Sequence, residues 1–192
     1  MGPTLRLLRE AVTVMLALAV LSCGCYPLAV WAAAQFLFPE TANGTLSLRR
    51  GVVVGSDRIA QGFAGPDYLH PRPSAAGKGY DATRSGGSNL GPLSDRLLVA
   101  VAQRVAAYRE ENDLPLWATV PVDAVTTSGS GLDPHISVVN ARLQAPRVAR
   151  LRGLTLAAVD SVIDRCTDGP DLGLFGTAGV NVLAVNLALD AR

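Results

Sequence analysis

The sequence is short of several residue types on which common functions depend. Aromatic residues make up 5% of the 192 residues, there are only two histidines, and the formal net charge is +1. A surface that binds nucleic acid needs a clear basic excess, which excludes this class of partner. Neither histidine belongs to an H-x-x-x-H pair, the pattern that places two imidazoles on one helix face. We therefore expect no nucleic-acid partner and no metal site.

The three cysteines leave little scope for disulfides. Cys23 and Cys25 lie within an apolar segment, and Cys166 stands alone in the rest of the chain. A single thiol cannot form an internal disulfide there. We interpret Cys166 as a small buried side chain on the apolar face of a helix.

Charge is also missing from a long N-terminal stretch. No charged residue lies between Glu10 and Glu40, and about 20 mostly apolar residues suffice to cross a bilayer. We predict a short N-terminal segment at residues 1–10 and a transmembrane helix at residues 11–39. Arg6 and Arg9 precede this helix, so the positive-inside rule places the N-terminus in the cytoplasm and residues 40–192 outside it.

Two alternatives compete with a retained transmembrane helix. A cleaved signal peptide has a shorter apolar core than this one. The sequence Val20-Leu21-Ser22-Cys23 loosely matches the cysteine box of bacterial lipoproteins, in which lipid on Cys23 would anchor the chain. That anchor would leave the apolar residues 26–38 uncovered, and the length of the run favours the retained helix.

The remaining residues, 40–192, mix strand and helix patterns without strict alternation, which predicts one α+β domain. The predicted strands are 52–54 and 58–59 around a Gly55-Ser56 turn, the segment "LWATVPVDAVTTS", and residues 180–189. Helices are predicted from Asp95 to about Glu111 with Ser94 as N-cap, from about Pro134, and from Thr155. Residues 64–92 are rich in proline and glycine, and their tyrosines and charged residues favour an ordered functional loop.

The stretch "TSGSGLDPHIS", residues 127–137, has the side chains of an active site. A nucleophile elbow needs G-x-S-x-G, and the first glycine is missing around Ser130. A membrane-tethered hydrolase using Ser128 or Ser130 with His135 remains the alternative function. We favour an architectural interpretation, in which Asp133 caps a helix that begins at Pro134 and His135 lies near its positive end.

Two other stretches resemble phosphate-binding loops. "SAAGKGYD" fails the Walker pattern, because Arg72 stands at its first glycine position and Gly79 at its final Ser/Thr position. "SGGSN", Ser85 to Asn89, could expose successive backbone N–H groups to an anion, but any tight loop needs glycine for its geometry.

Three segments together resemble one family, the C chain of the bacterial potassium-transporting Kdp ATPase. They are "YLHPRPSAAGKGYDATRSGGSNLGP", "VPVDAVTTSGSGLDPHIS" followed by "APRVARLRGL", and "VNVLAVNLALD". The resemblance covers nearly the whole chain, including the single N-terminal apolar helix. Val138 replaces a proline that is usual in the family, and Thr177-Ala178-Gly179 lies where Glu-Pro-Arg is typical.

The resemblance implies a non-catalytic accessory subunit of an ATP-driven potassium uptake pump in the cell inner membrane. Its implied partners are a channel-like potassium subunit, a P-type ATPase subunit and a very small helical subunit. The family is described as a catalytic chaperone that raises the affinity of the ATPase subunit for ATP, with K⁺ as the transported ion. Our topology favours instead an outer domain that braces or gates the K⁺ entrance. The candidate contact residues for a partner or nucleotide are Tyr80, Asp81, Ser85, Gly86, Gly87, Ser88, Asn89, Ser128, Gly129, Ser130, Gly131, Asp133 and His135.

Overall fold

The computed structural model describes residues 2–191, which divide into two units with a boundary between Leu46 and Ser47. The first unit is dominated by one long apolar helix. It consists of α1 (Pro3–Ala19), a π-helical segment (Val20–Cys25) and α2 (Tyr26–Leu37), and a short helix α3 (Pro39–Ala42) follows. The predicted N-terminal segment 1–10 is therefore helical from Pro3 onward.

The long helix has the properties of a membrane span. Its most apolar part has a mean hydropathy of 2.0 and buries no residue against the protein. At 1.5 Å per residue, its 35 residues extend about 52 Å, more than the roughly 30 Å hydrocarbon core of a bilayer. The change to π-helix falls just before Pro27, which lacks the N–H that a regular helix would use there.

The second unit is a mixed α/β domain, as predicted. Near its start lie strands β1 (Leu46–Arg49), whose first residue belongs to the first unit, and β2 (Val52–Ser56), which form a two-stranded sheet. Its helices are α4 (Asp95–Glu111), α5 (Val122–Val125), α6 (Val138–Arg152), α7 (Leu156–Arg165) and α8 (Val182–Asp190). Strands β3 (His135–Ser137), β4 (Thr167–Asp168) and β5 (Gly179–Asn181) form an antiparallel sheet in the order β3-β5-β4.

The core of this domain lies between α6, α7, α8 and the three-stranded sheet. Val159, Val162 and Ile163 of α7 are fully buried, as their spacing predicts. They pack with Val148 of α6, Val185 of α8 and other small or branched side chains. Cys166 follows α7 and is half-buried, and this burial raises the pKa of its thiol.

The bounds of α4 match the prediction, and Thr155 is the N-cap of α7, where its side chain accepts a hydrogen bond from the Ala158 N–H. Ser94 occupies the N-cap position of α4 without a side-chain capping bond.

The predicted first hairpin is wrong in its register. The turn is at Arg50-Gly51, and residues 58–59 are not a strand. Both turn residues have positive φ, 51° and 78°. Tight hairpins favour turns of this kind because their twist matches that of the flanking strands.

Two other predicted strands are wrong. Within "LWATVPVDAVTTS" the chain forms the short helix α5, with Pro121 at its N-cap position. Of the predicted final strand, only residues up to Asn181 are extended, and α8 begins at Val182. The Asn181 side chain caps α8 by accepting a hydrogen bond from the Ala184 N–H. The alternating apolar residues do not reveal this helix, because α8 is apolar on several faces.

The predicted helix start at Asp133-Pro134 is also wrong. His135 lies on β3, and α6 begins after Ser137, whose hydroxyl accepts a hydrogen bond from the Asn140 N–H at 3.1 Å. Val138 thus occupies the first helical position, where proline would also fit. Pro146 lies inside α6 without ending it.

Candidate functional site

The two glycine-rich stretches that the sequence singles out lie against each other. The Gly86 N–H donates to the Ser130 carbonyl at 2.8 Å, and the Ser85 hydroxyl donates to the same oxygen at 3.0 Å. The Thr127 hydroxyl lies 3.3 Å from that of Ser88. We call residues 80–89 together with 127–131 the paired-loop surface. It unites eleven of the thirteen candidate residues.

Glycine is required at one position of this surface by both conformation and space. Gly131 has φ +67°, and a Cβ there would lie 2.6 Å from the Gly86 carbonyl oxygen and 2.7 Å from the Ala76 nitrogen. Gly129 has no heavy atom within 4 Å of the corresponding position. The sequence therefore uses Gly131 to bring two backbones together, whereas Gly129 is exposed at the surface.

Ser74 and Tyr80 fix the base of the paired-loop surface. The Ser74 hydroxyl accepts from the Tyr80 N–H at 2.8 Å and donates to the Gly131 carbonyl at 2.6 Å. The Tyr80 hydroxyl donates to the Arg72 carbonyl at 2.9 Å. Burial raises the pKa of the Tyr80 phenol, and the positive charge of Arg104 partly opposes this rise. Tyr80 is thus a structural anchor more than a free contact residue.

The outer edge of the surface is polar and accessible. Ser85, Ser88, Asn89 and Ser130 are exposed. Asn89 has φ +50°, a conformation that asparagine adopts more readily than most residues. These side chains can reach another protein without a change in the loops.

The glycines of "SGGSN" are poorly arranged to bind a phosphate. An anion cradle needs successive backbone N–H groups that point at the ligand. The Gly86 N–H is already used by the Ser130 carbonyl, and Gly87 packs close to the Gly129 carbonyl. This geometry favours the interpretation of "SGGSN" as a tight turn.

His135 lies apart from the serines. Its Nε2 is 2.9 Å from Asp168 Oδ2 on β4, and its ring crosses over Gly179 of β5. Within residues 2–191, no hydrogen bond joins His135 to Ser128 or Ser130. The Ser130 hydroxyl instead accepts from the Leu132 N–H at 3.1 Å. The arrangement lacks the nucleophile–base contact that the alternative hydrolase needs.

Asp133 stabilises the turn that leads into β3. Its Oδ1 accepts from the His135 N–H at 3.0 Å, and its Oδ2 accepts from Arg72 Nη1 at 3.1 Å. The predicted N-cap role of Asp133 is therefore replaced by a local turn and an ion pair across the loops.

Three acidic residues that could attract a cation, Asp67, Asp81 and Asp123, are engaged with protein groups. Asp123 accepts from the Ser137 N–H and from the Asn140 amide, and so supports the start of α6. Asp81 Oδ1 accepts from the Thr83 N–H and hydroxyl, and Asp67 lies 3.6 Å from Arg152. The described part of the chain has no group of three His, Cys, Asp or Glu residues that could hold a metal ion.

Two buried amides that sequence reasoning missed hold the loop that leads to this surface. Asn186 of α8 accepts from the Leu69 N–H and donates to its carbonyl, both at 2.9 Å. Gln144 of α6 does the same for His70, at 2.8 and 3.1 Å. The two side chains thus act as strand partners for the extended backbone at residues 69–70. An amide within an otherwise apolar run, as in "LAVNLALD", is the sequence signal that could have found them.

Arg147 of α6 completes this support. Its side chain is 2% exposed, and its guanidinium donates to the carbonyls of Pro66 and Tyr68 and to Asn112 Oδ1. Burial lowers the pKa of Arg147, and Glu111, at 3.9 Å, partly opposes this shift. Asn186, Gln144 and Arg147 together fix the backbone of residues 66–70.

Comparison with known proteins assigns the chain to a family. Residues 8–191 match the family described as K⁺-transporting ATPase, c chain. The chain is 55% identical over 185 residues to the potassium-transporting ATPase KdpC subunit of Mycobacterium tuberculosis strain H37Rv, covering 96% of this chain and 98% of the relative. It is 58% identical over 181 residues to the KdpC subunit of Caulobacter sp. strain K31, covering 94% of this chain and 88% of the relative. The KdpC subunit of Cereibacter sphaeroides strain ATCC 17029 is 55% identical over 184 residues, covering 96% of each chain. The resemblance found in the sequence motifs is thus confirmed, and this chain belongs to the K⁺-transporting ATPase c-chain family.

Proposed function

We propose that this chain is a non-catalytic accessory subunit of an ATP-driven potassium uptake pump, needed for its assembly and activity. The observation that carries the proposal is the family match over residues 8–191, which includes both the apolar helix and the domain. The pump would take K⁺ as its transported ion and use ATP on its ATPase subunit.

The direct test is to purify the pump with and without this chain and to measure K⁺-stimulated ATP hydrolysis in lipid vesicles. We expect hydrolysis and K⁺ uptake to be lost without the chain and restored when it is added back. Normal hydrolysis and uptake by a pump that lacks the chain would contradict the proposal.

The apolar helix would cross the inner membrane once, with the domain outside the cytoplasm. Arg6 and Arg9 support this orientation, because positive residues favour the cytoplasmic side. A cysteine at Ala82, introduced in a chain whose native cysteines are replaced, should react with a membrane-impermeant reagent in intact cells. The matched cysteine at Leu5 should react only after the cells are opened, and the reverse pattern would overturn the orientation.

The paired-loop surface would face another subunit of the pump, which the sequence resemblance implies is channel-like, a P-type ATPase or a very small helical protein. Its exposed edge, made of Ser85, Ser88, Asn89 and Ser130, supports this assignment. A bulky charge at the edge, as in Ser88→Arg, should reduce co-purification of the larger subunits. The control Ser161→Arg alters an exposed serine on α7 and should leave co-purification unchanged.

Two roles in the pump can then be distinguished. A subunit that raises the affinity for ATP would, when altered, change the KM for ATP, whereas an outer domain that braces or gates the entrance would change the KM for K⁺. The proposed outer location and the engaged Gly86 N–H favour the second role. An altered KM for ATP alone in the Ser88→Arg pump would favour the first role instead.

A further inference from the structure

The hairpin formed by β1 and β2 has one side fixed to the domain. The Ser47 hydroxyl donates to Asp57, and Arg49 donates to Asp190 Oδ2 at 2.8 Å. Side chains alternate between the two faces of a strand, so Leu48 points to the face opposite Ser47 and Arg49. The free face of the hairpin is therefore the one that carries Leu48.

This hairpin exposes large apolar side chains. Leu48 is 67% exposed, Val52 65% and Val53 53%. A two-stranded sheet with exposed apolar residues is marginally stable in water and prone to association through its edges. Contiguous exposed apolar side chains mark contact with another protein or with a membrane.

The position of the hairpin in the chain points to the membrane as the occupant. The apolar helix ends at Leu37 and β1 begins at Leu46, so only the short segment 38–45 links them. That segment includes the helix α3, which shortens its reach further. Because the proposed function places the helix in the bilayer, this short link limits how far β1 can lie from the end of the membrane span.

The charge at the hairpin turn also fits a lipid surface. Arg50 is exposed, and its side chain has no partner among residues 2–191. Bacterial phospholipid headgroups offer phosphate groups that a guanidinium binds well. Apolar side chains beside a free cation are typical of segments that lie in the membrane interface.

We propose that the β1–β2 hairpin binds the lipid headgroup region of the bilayer through Leu48, Val53 and Arg50. It thereby forms a second attachment of the domain to the membrane. The inference rests on the proposed function only in requiring that the helix crosses the bilayer.

Depth measurements on the full chain in lipid nanodiscs test the inference. A nitroxide is attached to a single cysteine at Leu48, in a chain whose native cysteines are replaced, and its collisions with oxygen and with a polar nickel chelate are compared. The matched control carries the label at Leu174, another leucine that is 81% exposed. We expect a several-fold higher ratio of oxygen to nickel collisions at Leu48 than at Leu174. Equal ratios would overturn the inference.

Two further arms separate the possible outcomes. A label at Leu21 reports whether the helix is in the bilayer. A label at Leu21 that is exposed to water contradicts the proposal that the helix crosses the membrane. A label at Leu21 that lies deep in the bilayer, together with a label at Leu48 that is exposed to water, contradicts only the proposed lipid binding of the hairpin. If Leu48 is shielded only after the other subunits are added, a protein partner covers it and the lipid assignment is wrong.

Substitution of Arg50 tests the contribution of charge. In nanodiscs that contain phosphatidylglycerol, Arg50→Glu should lower the collision ratio at Leu48, while Arg50→Lys should preserve it. In nanodiscs of phosphatidylcholine alone, the effect of Arg50→Glu should be smaller. No effect of Arg50→Glu in either lipid would overturn the assigned role of Arg50.

Discussion

Two irregular loops of the domain, residues 64–92 and residues 169–178, differ in how their backbones are held. Both are rich in glycine and both lack long helices or strands. The first buries Leu69 and Ala76, and side chains of α6 and α8 bond to its backbone. The second is exposed, and it is closed mainly by bonds between Asp171 and Phe175.

The difference shows that composition alone does not decide whether a loop is rigid. Buried backbone N–H and C=O groups must be paired, and in the first loop the core helices supply the partners. In the second loop water can supply them. A surface for protein contact is better built on the first kind of loop, because its geometry is set before a partner arrives.

The largest effect is expected when the buried cation of α6 that supports the first loop is removed. Arg147→Met would leave the carbonyls of Pro66 and Tyr68 without their charged donor, and such bonds each contribute about 1.5–3 kcal/mol. We expect the free energy of unfolding to fall by about 3 kcal/mol, measured by denaturant titration in detergent. Arg142→Met on the same helix removes an exposed ion pair with Asp164 and should cost less than about 1 kcal/mol. Similar losses for the two variants would contradict this account of the loop.

A somewhat smaller loss should follow from filling the contact between the two stretches of the paired-loop surface. Gly131→Ala places a methyl group 2.6 Å from the Gly86 carbonyl oxygen and at a positive φ. We expect a loss of about 2 kcal/mol in the free energy of unfolding, because both the clash and the backbone strain must be relieved. Gly129→Ala has no close neighbour and should change stability by less than about 0.5 kcal/mol. A neutral Gly131→Ala would mean that the two stretches are not closely packed.

Sequence reasoning singled out the two stretches of this surface, but neither their contact with each other nor its support. The motifs with Gly86 and Gly131 are visible because glycine and serine mark turns locally. The partners of residues 66–70 come from α6 and α8, far along the chain. No local pattern links Gln144 or Asn186 to Leu69 and His70, so tertiary contacts alone reveal the pairing.

The fold was predictable where one local signal dominated. The helix α4 has a clear apolar period, and α7 has both a period and the Thr155 cap. At the start of α6 two signals competed, since Asp133-Pro134 and Ser137 can each begin a helix. The β-sheet pairing of His135 with Asn181 decided between them, and this pairing is not visible in the local sequence.

The exposed second loop should respond to relief of local strain. Leu172 is 90% exposed and has φ 53°, which is unfavourable for a bulky side chain. Leu172→Asn should raise the free energy of unfolding by about 1 kcal/mol, because asparagine tolerates this conformation. Leu174 does not have a positive φ, so Leu174→Asn should leave the free energy of unfolding unchanged in the same titration. If the two substitutions raised the free energy of unfolding equally, the cause would be the loss of an exposed apolar side chain and not the relief of backbone strain.

The smallest expected effect concerns the outer edge of the first loop, where His70 Nδ1 lies 3.0 Å from Glu111 Oε1. The hydrogen bond with His70 is the main cause that lowers the pKa of the Glu111 carboxyl, and burial opposes it. A lowered pKa in the folded state stabilises the domain above the ordinary pKa of 4.5, and this stabilisation is lost as the pH falls through the folded value.

Glu111→Gln should therefore lower the free energy of unfolding at neutral pH by about 0.5 kcal/mol, as for other partly exposed ion pairs. In unfolding titrations at decreasing pH, the difference from the unaltered chain should vanish in acid. Glu110→Gln provides the control, because the side chain of Glu110 is exposed and has no hydrogen-bond or ion-pair partner among residues 2–191. A difference that persists in acid would show that shape rather than charge links His70 to α4. The bond between the first loop and α4 would then not depend on the charge of Glu111.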